Sequence, residues 1–500
     1  MRRSWNAAMC CAVLGSLVAL SGAARAAAGE PGLASPGAPG PASSGPGEQT
    51  TATAREATFA RDVLPILQRS CQRCHRPGTG APMSLLTYEE ARPWARAIKD
   101  RVVTRQMPPW HLDRSIGEYT ADPSLSDAEI ATIAAWVDGG APRGNPADAP
   151  PPLDLANLNE WTYGEPDLVV QMKEGFRIPA EGPDFYPSEI VDPGLTEDRY
   201  VKWVQIIPEA YCCVHHSHVY VSVPETTEDL EEFRLGMGSN TEEIDLIEYA
   251  MGSTGQYYPE GTGRKLPAGG LFRFAPHYHP WGEDTIDRQK VGIKFYPEGE
   301  VPELIVTAHR IRTGIGHDWK LNREAVEDRL LRAGYDLDLH AERMPAGALI
   351  DDNTLNGVAL LSIPPHSVVR HERFWPLPQA ALVLSFQPHM HFRGKRMLLE
   401  AIHLDGRREV LTDVVDYEQT WQIVYPYKEP HLFPKGTILH TVSWHDNTAN
   451  NRHNPDPSAW VGWGGRTMDE MGHGWTDVAF MTDEQYARRL AEREAQANDE

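Results

Sequence analysis

The chain has 500 residues, 41% of them hydrophobic, and sets 47 Lys and Arg against 70 Asp and Glu for a formal net charge of −23. That length can bury several cores and points to about two to four domains. The acidic balance, with no basic, aromatic-interleaved patch, excludes a nucleic-acid partner and serves solubility.

The first 26 residues read as a cleavable export signal: Arg2 and Arg3 precede an apolar stretch from Ala7 to Leu20, and small residues follow around Ala24-Arg25-Ala26. The apolar run is well short of a bilayer span and no other long uncharged run follows, so a periplasmic or secreted protein without a stable membrane span is expected. Cys10 and Cys11 lie inside the signal and leave with it. Residues 27–56 are mostly Ala, Gly, Pro and Ser, too poor in large apolar groups to offset ordering entropy, and read as a disordered tether.

Helical spacing begins with Phe59, Val63, Ile66 and Leu67 and leads into Cys71-Gln72-Arg73-Cys74-His75, the attachment motif of c-type haem. Two nearby thiols can form thioethers to the haem vinyls while the adjacent histidine ligates iron. One covalent haem c is therefore expected, with Met107 in Arg105-Gln106-Met107-Pro108-Pro109-Trp110 as sixth ligand on a proline-held loop; Met83 competes, but would need a tight reversal. A further helix has Ser126 as N-cap and Glu129 three residues on, and stops at Gly139-Gly140, which closes an all-α cytochrome c domain over 57–146. From Ala57 to Leu112 nine Lys and Arg face four Asp and Glu, net +5. Such a basic haem edge suits an acidic docking surface, in this chain or in a periplasmic electron donor.

After a Pro/Ala/Asp linker at 146–156 the texture becomes short β-branched and aromatic runs between Gly and Pro turns, among them Tyr200–Ile207, Val219–Val223, Val291–Phe295 and Leu382–Phe386. The stretch from 157 to 500 is too long for one sandwich, so two are expected, with a helical insertion near Asn322–Ala333 and a charged helix or tail over 483–500.

Three histidine clusters punctuate this β region, His215-His216, His277-Tyr278-His279 and His389-Met390-His391, and Asp469-Glu470-Met471 follows. Histidines completed by a thioether favour copper, and two such sites are expected. On a strand His389 and His391 project from one face while Met390 packs inward. His215 and His216 can share an ion only where the strand bulges or ends, with His277 or His279 as third ligand.

In sequence and order, Val214-His215-His216, His277-Tyr278-His279-Pro280, Pro388-His389-Met390-His391 with Arg393-Gly394-Lys395, and Asp469-Glu470-Met471 resemble the copper type II, ascorbate-dependent monooxygenases, the family of peptidylglycine α-hydroxylating and dopamine β-monooxygenases. The segment around Met107-Pro108-Pro109-Trp110 is similar to the cytochrome domain that bacterial proteins fuse to this copper module. The resemblance implies two tandem jelly-roll sandwiches, 157–345 and 346–482, meeting near Pro345. It implies an electron-transfer copper on His215, His216 and His277, with His279 as alternate. A second copper, on His389, His391 and Met471 with Met468 as alternate, would meet dioxygen and a small-molecule or peptide substrate and hydroxylate an activated C–H bond, with electrons fed through the haem. Unlike the animal enzymes, which are disulfide-rich, the mature chain keeps only Cys212 and Cys213 beyond the haem cysteines, and their redox state is open. His218, His440, His445 and His473 crowd the motifs and read as supporting residues. The alternative from another class is a haem and copper electron-transfer or copper-binding protein without oxygenase activity.

Overall fold

The computed structural model describes residues 56–499 apart from Ala121, Leu360, Ser362, Trp463 and the stretches 155–159, 236–242, 251–254, 314–353, 356–357 and 465–466. The expected export signal, most of the tether, the helix at Asn322–Ala333 and the boundary near Pro345 lie outside the described residues. Arg55–Glu500 forms one compact unit that is mostly β-sheet with few helices.

The helices come first and follow the sequence pattern. A π-turn at Phe59–Val63 runs into α1 (Leu64–Ser70), whose first turn accepts Pro65 because the missing N–H has no partner there. Next come α2 (Tyr88–Ala91), α3 (Ala95–Val103) and α4 (Asp127–Asp138). Capping boxes start α2 at Thr87/Glu90 and α4 at Ser126/Glu129, each satisfying two of the N–H groups a helix start leaves open. Phe59, Val63, Leu67, Ile133 and Trp136 are buried in one cluster, and the indole N–H of Trp136 donates to the Pro142 carbonyl at 3.0 Å.

Strands follow: β1 (Leu168–Gln171), β2 (Phe176–Ile178), β3 (Glu189–Val191), β4 (Arg199–Ile207) and β5 (Val214–Ser222), then helix α5 (Thr227–Leu235). They continue with β6 (Ile244–Ala250), β7 (Gly255–Tyr257), β8 (Thr262–Leu266), β9 (Leu271–Tyr278), β10 (Thr285–Asp287), β11 (Lys290–Phe295) and β12 (Leu304–Arg312). After β13 (Thr354–Leu355) and β14 (Val358–Ala359) come β15 (Val368–Pro376), β16 (Ala380–His389), β17 (Gly394–Ile402) and β18 (Arg408–Val414). The chain ends with β19 (Tyr425–Phe433), β20 (Ile438–Asp446), β21 (His473–Met481) and the charged helix α6 (Asp483–Asp499).

Two four-stranded sheets, β3-β9-β5-β6 and β15-β20-β17-β18, pack against opposite parts of one large sheet ordered β1-β11-β4-β8-β12-β21-β16-β19. Val204, Val219, Leu246 and Phe272 share the first core; Val383, Leu399, Leu439 and Val478 share the second. The large sheet is continuous through both halves of the β region because β12 pairs antiparallel with β21. β16 explains how: Ala380, Leu382 and Leu384 enter the first core, and Ala381 and Val383 the second. A strand apolar on both faces serves two cores at once, each fully buried Leu or Val contributing about 1.5–3 kcal/mol. A bulge after Val383 shifts the register, so Phe386 joins the second core despite its even number.

The stretch after α3 lies on the second core. Leu112 bridges Val414, Tyr119 bridges Tyr427, the Asp113 N–H donates to the Asp413 carbonyl at 2.8 Å, and the Trp110 ring meets Tyr425 edge-on at 4.9 Å. Among the described residues no helix is long and apolar enough to cross a membrane.

Candidate metal centre

The first histidine group is made by an irregularity in β5. Regular alternation would send His215 and His216 to opposite faces, but the register of β5 against β9 shifts between Val214 and His216. One donor atom from each of His215, His216 and His277 then lies within 4.8 Å of the others. The hydrogen-bond partners assign the tautomers. His215 Nε2–H donates to the Thr420 carbonyl at 3.2 Å, and His277 Nε2–H donates to Asp184 Oδ2 at 2.9 Å. Each ring therefore presents a bare Nδ1, and these two nitrogens face each other at 3.2 Å. His216 Nδ1 is buried with no hydrogen-bond partner. Burial, with His277 beside it, lowers His215 to about 4, and burial also lowers His216 and His277, so all three rings are neutral near pH 7. Bare nitrogens facing one another repel unless a cation lies between them, so this donor set fits a borderline metal such as copper. His279 is exposed, bonds Asp184 Oδ1 at 2.7 Å, and stands outside the group.

The second group sits where β16 ends. The rings of His389 and His391 lie 5.4 Å apart, and Met390 between them is fully buried in the core, as the strand alternation requires. His389 Nδ1 bonds Gln422 Oε1 at 2.8 Å, and His391 Nδ1 bonds the Asp469 carbonyl at 3.1 Å. Anchored in this way, both rings orient Nε2 as the ligand nitrogen. Burial, and then His391, lower His389 to about 3. Met471 is half-buried, whereas Met468 is exposed and gives only its backbone carbonyl, to Arg393. Two imidazoles and a thioether fit copper in its softer oxidation state.

Both groups open on one cleft of about 1350 Å³, lined by His216 and His277 from the first and by His389, His391 and Met471 from the second.

No family model matches the chain, and no curated protein matches it. Solved structures give weak likenesses. A two-domain protein of unknown function from Bacteroides fragilis is 12% identical, over 59% of this chain and 84% of that one, with a TM-score of 0.15. A point variant of oxalate decarboxylase from Bacillus subtilis is 11% identical, over 68% and 86%, with a TM-score of 0.12. Allantoicase is 11% identical, over 52% and 77%, with a TM-score of 0.14. At these TM-scores the likeness fixes neither fold nor chemistry.

Tertiary structure adds residues that the motifs do not mark. Asp184 orients His277, Gln422 orients His389, and His473 stacks on His389 at 5.7 Å with its Nε2 buried and without a hydrogen-bond partner. Glu470 is fully buried; its Oε2 accepts from the N–H of His391 at 2.8 Å and of Met471 at 3.3 Å, and its Oε1 from that of Arg393 at 2.6 Å. Burial pushes its carboxyl up to about 8 against the pull of those donors. Only its place beside Met471 could have drawn attention to it. His445 Nε2 holds the Met471 carbonyl at 3.0 Å, while His440 is buried between Glu372 and Glu400 and stacked on Phe374.

At the expected haem motif, Cys71 caps α1 and a tight turn brings Cys74 and His75 back, their N–H groups donating to the Cys71 carbonyl at 3.1 and 2.9 Å. His75 Nδ1 bonds the Met83 carbonyl at 3.2 Å, which orients Nε2 as the ligand atom. Cys71 and Cys74 are free thiols. This donor set fits covalent haem. Met107 is half-buried in the loop after α3, and Met83 packs against the helical core beside His75. Cys213 is buried in the first sandwich core and burial raises its thiol, so it is an inert packing group. Cys212 is a half-buried free thiol.

Proposed function

We propose that the chain is an exported haem c and dicopper monooxygenase that hydroxylates an activated C–H bond of a small organic or peptide substrate. In this reading residues 57–146 are the cytochrome c domain and the β region is a pair of jelly-roll copper modules. The observation that carries it is the one cleft lined by members of two unlike donor groups, His216 and His277 of the three-imidazole group and His389, His391 and Met471 of the other. Copper bound there supplies one-electron redox chemistry and activates dioxygen.

The protein's own residues do the positioning. His215, His216 and His277 form an all-nitrogen group, neutral and turned by Thr420 and Asp184, suited to passing an electron without binding substrate. His389 and His391 are anchored through Nδ1, and Glu470 ties the backbones of His391 and Met471 to one carboxyl, which fixes the Met471 backbone relative to the rings. Electron supply from the haem segment is supported by its placement. The Arg76 guanidinium, next to His75, lies 5.8 Å from the ring of Tyr211 in the segment that leads into His215.

A product screen with isotopically labelled dioxygen tests the reading. Protein with covalent haem should hold two coppers per haem and place label in the product, and His389→Ala or Met471→Ala should abolish reductant-driven dioxygen consumption. Unchanged consumption in those variants refutes it. Redox cycling of haem and copper without label in any product favours the electron-transfer alternative.

A further inference from the structure

Beside the first histidine group the cleft wall carries a second cluster, of which the copper reading uses only His216. His216, His218 and Glu248 each place one donor atom within 4.8 Å of the others. His218 and His216 are two residues apart on β5, and Glu248 stands opposite His218 on β6. Asp245 adds a second carboxylate, with Oδ2 at 3.3 Å from His218 Nδ1, and Glu248 Oε1 lies 3.5 Å from His218 Nε2.

The cluster is rich in buried atoms whose bonding is incomplete. His218 Nδ1, Asp245 Oδ1 and Glu248 Oε1 are all buried without an aligned hydrogen bond. Leaving such an atom unsatisfied costs about 1–3 kcal/mol, and more for a charged group. The remaining surroundings fix the cluster without satisfying it: Gln387 Nε2 donates to Glu248 Oε2, and the Tyr220 ring stacks on His218 at 5.2 Å. Once His218 gives up the proton it shares with Glu248 and Asp245 in the metal-free protein, two imidazoles and one carboxylate, with a second carboxylate behind, match a divalent cation in both charge and donor type.

We infer that His216, His218 and Glu248, with Asp245 beside them, form a third metal position, for a divalent transition cation of the zinc or iron(II) class. It opens on the same cleft, since His216, His218 and Asp245 line it. Three protein ligands leave a coordination place for water or a substrate oxygen. The ring of His216 stands in both groups and has two nitrogens to offer. This site does not rest on the copper reading, because its harder, carboxylate-containing donor set selects a different ion.

Zinc titration of the metal-free, full-length mature protein tests it. The background is His215→Ala with His277→Ala, which removes the first group and keeps all the residues of the third. It should still bind one Zn²⁺, and Co²⁺ in its place should give the visible bands of a low-coordinate nitrogen and oxygen site. Adding Glu248→Gln, which preserves shape, should weaken Zn²⁺ more than about a hundredfold, beyond the 10–100-fold typical of losing an outer partner. His218→Gln should do the same. In otherwise unchanged protein Glu248→Gln should lower the Zn²⁺ count by one and leave copper at His389, His391 and Met471 in place. Absence of Zn²⁺ from the folded background, or binding indifferent to Glu248→Gln and His218→Gln, overturns the site. Failure to retain copper anywhere would refute the monooxygenase reading and leave the zinc result standing.

Discussion

Glu470→Ala strips the second histidine group of its main brace. The carboxyl accepts two short backbone bonds, from His391 N–H at 2.8 Å and Arg393 N–H at 2.6 Å, and a longer one from Met471 N–H at 3.3 Å, at a position without solvent exposure. A buried donor left unsatisfied costs about 1–3 kcal/mol, so losing the two short bonds should destabilise the protein by about 2–6 kcal/mol. Little is recovered from the charge, because burial holds Glu470 near a pKa of about 8 and the group is mostly protonated at neutral pH. Against a typical stability of about 5–15 kcal/mol that loss is large. Glu470→Gln is the milder probe. Its single oxygen can keep the His391 and Met471 bonds while the Arg393 N–H loses its acceptor, for about 1–3 kcal/mol. Denaturant midpoints of the metal-free proteins give both numbers, and copper retention by the folded Gln variant reads the effect on the site. If Glu470→Ala shifts stability by less than about 0.5 kcal/mol, the size expected of a neutral surface change, the bracing role is refuted.

Asp184→Asn removes the carboxylate that orients His277 and should weaken copper at the first group about 10–100-fold, measured by competition with a Cu(I) chelator. Copper at the second group should be unaffected. Replacing Cys71 and Cys74 together by Ser should leave protein without haem on a denaturing gel, whereas the natural chain should stain for covalent haem. Stability of the metal-free protein should fall as pH rises from about 7.5, where the histidines of the unfolded chain have lost their protons, to about 9. Burial opposes the charge on His218, but Glu248 and Asp245 outweigh it and hold the ring at about 9, while burial raises Glu470 to about 8 and Glu248 to about 7. Over that window the folded protein keeps protons that the unfolded chain, titrating at 6.5 for His and 4.5 for Glu, has released. Denaturation midpoints across the range check this, Glu470→Gln should flatten part of the slope, and a level profile in the natural chain refutes it.

The helix starts at Ser126 and near Phe59, the strands over 199–207 and 290–295, and the C-terminal helix were legible because caps and apolar periodicity act over a few residues. Donor types were legible too, since the chemistry of Cys71, Cys74 and His75, or of His389, His391 and Met471, belongs to the side chains wherever they fold. The neutral ring of His215, the brace at Glu470 and the pairing of His218 with Glu248 were not. Each depends on burial or on a partner from a distant strand, which no local pattern records. The apolar run of β16 shows the limit most clearly. Its sequence dictates a strand with both faces buried, but that one such strand would serve two cores and join two sandwiches into a continuous sheet follows from β21 lying between it and β12. Sequence alone determined the imidazole, thiol and thioether donors and several of the strands and helices. Only the tertiary structure decided which donors meet, through the bulge at Val214–His216 and the shared cleft, because convergence is set by long-range strand register and by the exclusion of water around the rings.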